Sequence, residues 1–103
     1  IQLLKKTVMD IDINKLEISR KYVVGMNMGD YAQRKYKYEI HNSELKGSII
    51  IHETYTPKIN DFEWGKQENL YFIKDNPKKT FKTIRGVLNF LIKTTTKQND
   101  NQP

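Results

Sequence analysis

The chain has 103 residues, a net charge of +6 at neutral pH and no cysteine. That length supports one domain with one modest core, worth about 5 to 15 kcal/mol, and the missing cysteines exclude a disulfide framework and a thiolate metal site. The longest apolar runs, residues 48–51 and 86–92, are far shorter than the roughly 20 residues a membrane-crossing helix needs.

In chain order, residues 5–13 alternate Val8 or Met9 and Ile11 against Asp10 and Asp12 and read as a short half-buried strand. Asn14 and Lys15 turn it back. Leu16, Ile18, Tyr22, Val24, Met26 and Met28 hold one parity, with Arg20 the exception, which predicts a long strand over 16–28 bent or bulged near Gly25. Gly29 and Asp30 turn into a third strand, 31–41, where Tyr36, Tyr38 and Ile40 alternate with Lys35, Lys37, Glu39 and His41. After a connection over 42–47, residues 48–55 are β-rich and read as a fourth strand. Placing His41 opposite Ser48 faces Ile40 with Ile49 and Tyr38 with Ile51 as one apolar surface. Residues 56–67, with Pro57, Asn60, Asp61 and Gly65, read as the longest loop, and 68–74 as the last strand.

Residues 76–93 carry the strongest helical signal. Asn76 suits an N-cap and Pro77 the first helical position. Phe81, Ile84, Leu88, Leu91 and Ile92 recur on one face, with Lys78, Lys79, Lys82, Asn89 and Lys93 largely on the other. The fold class expected is therefore α+β: an antiparallel meander of about five strands with a C-terminal helix packed on one face, forming a single domain over 1–95. The polar residues 96–103 are expected to be a disordered tail.

Catalytic and metal signatures are missing. His41 and His52 fall in adjacent strands but are displaced along them, and no His or Cys cluster has zinc spacing. Asp10 and Asp12 alternate with isoleucines on a solvent face, and Glu44-Leu45-Lys46 is a lone acid–base pair without a partner aspartate. Serines 19, 43 and 48 lack a base and an orienting acid, and the five glycines make no phosphate-cradling loop. The expectation is a protein with no catalytic residue, no cofactor and no metal.

Binding surfaces remain. Phe62 and Trp64 lie in the long loop as anchors for a protein partner. The stretch Tyr31, Arg34, Lys35, Tyr36, Lys37, Tyr38 interleaves rings with cations, as platforms for single-stranded DNA or RNA do. Basic charge is concentrated late: residues 78–103 hold six Lys or Arg against one acid, among them Lys78, Lys79, Lys82 and Arg85 on the expected helix. A non-enzymatic protein-binding module is the first reading and a small basic nucleic-acid-binding protein the alternative.

The single alanine, fifteen lysines against three arginines, abundant Ile and Asn, and a first residue other than Met give the chain a compositional resemblance to the mature secreted effectors of phytoplasmas. The resemblance implies an upstream signal peptide, release into the host cytoplasm or nucleus, and action as an adaptor that brings host transcription factors to the proteasome machinery. Without it, the expected location is the cytoplasm.

Overall fold

The computed structural model describes residues 11–100, with side chains to Thr95. The described residues form six strands: β1 (Ile18–Asn27), β2 (Tyr31–Ile40), β3 (Ile49–Asn60), β4 (Glu63–Trp64), β5 (Glu68–Ile73) and β6 (Asn76–Phe81). They form one antiparallel sheet in the order β1-β2-β3-β5-β6, with β4 paired to the far part of β3. Among the described residues one α-helix, α1 (Ile84–Asp100), follows. The α+β architecture with a C-terminal helix is the one expected.

Several boundaries differ, each for a physical reason. Residues 5–10 of the expected first strand lie outside the described residues, and Ile13–Lys15 is a turn of 3-10 helix whose start is capped by Asp12, its carboxylate accepting from the Asn14 N–H at 2.9 Å. The long strand does bulge near Gly25, between Tyr22 and Val24. The extra residue, Val23, shifts the alternation. Ile18, Arg20 and Tyr22 therefore share a face with Gly25 and Asn27, while Val24 and Met26 go to the other.

The β2–β3 register is one residue away from the expected one: Tyr38 faces Ile50 and Tyr36 faces His52. The connection is the cause. Ser43 (φ 69°) and Gly47 (φ 91°) adopt the left-handed conformation and coil the chain so that Leu45 drops into the core, 2 % exposed. Ile40 then closes the ladder with Ser48 at 3.1 Å, while His41 donates instead to the Glu17 carbonyl at 2.8 Å. A slip of one residue exchanges the faces of a strand, so Ile50 and His52, not Ile49 and Ile51, join Ile40.

The helix starts late. Residues 76–81 are β6, because Lys74 and Asp75 make a hairpin turn directly after β5 and an edge strand tolerates Pro77. Thr83 caps the helix instead: its hydroxyl accepts from the Gly86 N–H at 3.0 Å and its carbonyl from Val87 at 3.3 Å. The helix continues to Asp100, and residues 101–103 of the expected tail lie outside the described residues.

Residues 56–67 are not an irregular loop. β3 runs on to Asn60, turns through Asp61 and Phe62, and returns as β4.

The core sits at one end. Ile40, Leu45, Ile50, Val87, Leu88 and Leu91 form it, with Ile18, Tyr38, Tyr71, Ile73, Phe81 and Ile84 packed around. The sheet face bearing Ile40 and Ile50, the front, is covered by α1 at this end, and among the described residues no helix stands above its far half.

Candidate binding site on the uncovered half of the sheet

Strand alternation and the observed registers decide what this half displays. The front positions of β1, β2, β3 and β5 carry Arg20, Tyr22, Arg34, Tyr36, His52, Thr54, Asn69 and Tyr71, and no Asp or Glu stands among them. The back positions carry Lys21, Lys35, Lys37, Glu39, Glu53 and Glu68 together with Val24, Met26, Tyr55 and Leu70. Cations without carboxylates lie on one face, mixed charge on the other.

On the front, rings run from the core outward. His52 stacks on Tyr71 with centroids 4.0 Å apart and 11° between planes, and on Tyr36 at 5.5 Å and 29°. Tyr36 meets Tyr22 edge to face at 5.6 Å, and the Arg20 guanidinium lies over the Tyr36 ring at 4.0 Å. His52 is buried, and its Nε2 donates to the Asn69 carboxamide oxygen at 2.9 Å while Nδ1 has no partner. Burial, reinforced by the neighbouring Tyr38 and opposed by Arg20, raises the Tyr71 phenol above its usual range.

Beyond these rings lies a hollow of about 470 Å³ bordered by Tyr22, Arg34, Thr54, Trp64 and Gln67. Trp64 closes one side because β4 pairs Trp64 with Lys58, and the Lys58 ammonium stands 6.0 Å over the indole. A smaller hollow of about 210 Å³ lies on the same part of the sheet, between Val24, Met26, Gln33, Lys35 and Glu53.

The expected site residues are redistributed. Trp64 and Arg34 come together at the larger hollow, while Phe62 is at the tip of the β3–β4 hairpin, 94 % exposed. Lys35 and Lys37 are on the back, away from Tyr36 and Tyr38, and Lys35 pairs with Glu53 at 3.7 Å. The rings and lysines of this stretch therefore do not form one platform, as the alternation of the strand already implies. Nor do the late basic residues form one helical strip. Lys78 and Lys79 are on β6, Lys82 precedes the helix and borders a back-face hollow with Glu53 and Glu68, and Arg85 is on α1 with the later Lys93 and Lys97. Sequence reading missed Arg20, Tyr22, His52 and Tyr71 as neighbours; the one signal was Arg20 breaking the apolar parity of its strand.

Among the described residues no helix is long and apolar enough to cross a membrane, and no three His, Asp or Glu side chains converge as a metal site. No known protein family, curated protein or solved structure matches this chain.

Proposed function

We propose that this chain is a non-enzymatic protein-binding module that docks its partner on the uncovered end of the sheet. The observation that carries the reading is the concentration of exposed apolar side chains there: Phe62 (94 %), Ile59 (65 %), Met28 (55 %), Met26 (51 %) and Trp64 (47 %), with Met26 and Trp64 bordering the same hollow. Apolar surface gathered at one place, rather than scattered singly, is what partner-binding surfaces present, and a tryptophan at its centre is the commonest kind of anchor.

The partner's identity belongs to the same proposal. On the effector resemblance it is a host protein, and the back of the sheet would be available to a second protein in an adaptor. Capture is therefore to be tried from plant-cell and bacterial lysates, comparing wild type with Trp64→Ala. Loss of about 2 kcal/mol, roughly thirtyfold, in affinity for the captured protein supports the reading; equal capture by both overturns it.

Binding of single-stranded nucleic acid is the second reading, favoured by the acid-free front face with Arg20 and Arg34 among tyrosines. It differs in salt response. Phosphate contacts weaken steeply between about 50 and 200 mM salt, whereas an apolar anchor does not depend on ionic strength in that way.

A further inference from the structure

We infer that β1 is a docking edge for an extended segment of a partner protein, one in which acidic and apolar residues alternate. The inference deepens the protein-binding reading and rests on it, because it says which secondary structure the partner brings and what its sequence pattern is.

The two edges of the sheet are built differently. β6 has Pro77, Lys78 and Lys79, devices that discourage strand addition. β1 is ten residues long, has no proline and no acid, and is the other outer strand among the described residues; Lys21 and the bulge at Val23 interrupt its edge at one place and leave a regular run on either side. Its inner bonding follows from two contacts: Met28 donates to the Tyr31 carbonyl at 2.9 Å, and Glu17 accepts from His41 at 2.8 Å. Antiparallel ladders alternate bonded and non-bonded pairs. Counting inward from both ends, and allowing for the bulge after Tyr22, the backbone groups of Ile18, Arg20, Tyr22, Gly25 and Asn27 point away from β2. They are the donors and acceptors that an added strand would meet.

Side chains set the pattern of that strand. Residues of an added strand alternate between faces, so those opposite Arg20 and Tyr22 lie on the front, where Arg20 and Arg34 are exposed and no carboxylate stands among the sheet positions. Carboxylates complement that face. The intervening residues lie on the back, over Val24 and Met26 at the smaller hollow, where valine or isoleucine buries exposed apolar surface. Main-chain bonds would give affinity and the two faces the specificity, as in other cases of strand addition.

The probe is an end-capped peptide of about eight residues alternating glutamate and valine, titrated into the full chain by fluorescence anisotropy, with a control of the same composition in two blocks. The inference expects the alternating peptide to bind at least about tenfold more tightly than the block peptide. N-methylation of one set of alternate amides should abolish binding, and methylation of the other set should not, since only one set faces β1. Arg20→Glu should weaken binding about tenfold, and a lysine–valine peptide should recover it.

Equal binding of both peptides, or indifference to which amides are methylated, overturns the inference. So does absence of peptide binding together with concentration-dependent dimerisation, which would assign the edge to a second copy, or together with oligonucleotide binding sensitive to Arg20→Glu. A negative peptide result beside Trp64-dependent capture from lysate removes the edge while leaving the protein-binding module. Loss of Trp64-dependent capture removes both.

Discussion

His52 lies flat against Tyr71, their centroids 4.0 Å apart and their planes 11° from parallel, and this pair marks where the core gives way to the uncovered half of the sheet. Only one imidazole nitrogen is satisfied. Nε2 bonds to Asn69, which also accepts from the Gln67 side chain at 2.9 Å, and Nδ1 is buried without a partner. An unpaired buried acceptor costs stability, and an apolar isostere avoids that cost. His52→Phe should therefore leave stability within about 0.5 kcal/mol of wild type or increase it, since Asn69 keeps Gln67. His52→Ala, which empties the stack, should cost about 2 to 3 kcal/mol. Urea denaturation of both variants checks the pair, and equal losses would mean that the imidazole contributes through its hydrogen bond and not through its ring.

Tyr71 predicts the alkaline limit of the fold. Its phenol is raised above 10.0 by burial first and by Tyr38 second. The unfolded chain's tyrosine loses its proton near pH 10, while the folded one still holds it. The stabilisation is thus complete below about pH 10 and is lost as pH rises through the folded value. Ultraviolet titration should show one phenol ionising late, and Tyr71→Phe should flatten the fall in melting temperature above pH 10. Because Arg20 opposes the shift, Arg20→Gln should delay the ionisation further.

Leu88 is 3 % exposed between the helix and the sheet. Leu88→Ala should cost about 2 to 5 kcal/mol by lost burial and the cavity left behind. An unchanged denaturation midpoint would show that α1 is not the lid of the core.

The helix start can be tested by a pair of substitutions. Thr83→Ala removes the hydroxyl that accepts from Gly86 and should cost about 1 kcal/mol. Asn76→Ala, at the exposed beginning of β6, should cost less than about 0.5 kcal/mol. The opposite order would return the cap to Asn76.

Trp64 contributes little to the core, being 47 % exposed and outside the core cluster. Trp64→Ala should shift stability by less than about 1 kcal/mol. A large fall in melting temperature would make its place structural and weaken its role as an anchor.

What was legible in the sequence was local. Alternation marked β2 and most of β1, because a half-buried strand writes its two faces into consecutive residues, while short runs of β-branched and aromatic residues marked the first half of β3 and β5. The 3.6-residue spacing of Ile84, Leu88 and Leu91 marked α1, and the glycine at 29, with φ +87°, marked the β1–β2 hairpin. Asn76 and Pro77 misled because both residues suit a turn and an edge strand as well as a helix start; the choice was made by β6 pairing with β5, a contact outside the local window. Register was decided by the coil around Leu45, which moved the pairing one residue and put His52 rather than Glu53 opposite Tyr36. The bulge at Val23 did the same for β1, bringing Arg20 and Tyr22 onto the acid-free face while sending Val24 and Met26 behind it. Face and neighbour depend on the parity of pairing, and a single residue of loop or bulge inverts that parity without leaving a trace in composition. The strands and the helix could therefore be read from residue types, whereas the union of Arg34 with Trp64, and of Arg20 with Tyr36, belonged to the folded sheet alone.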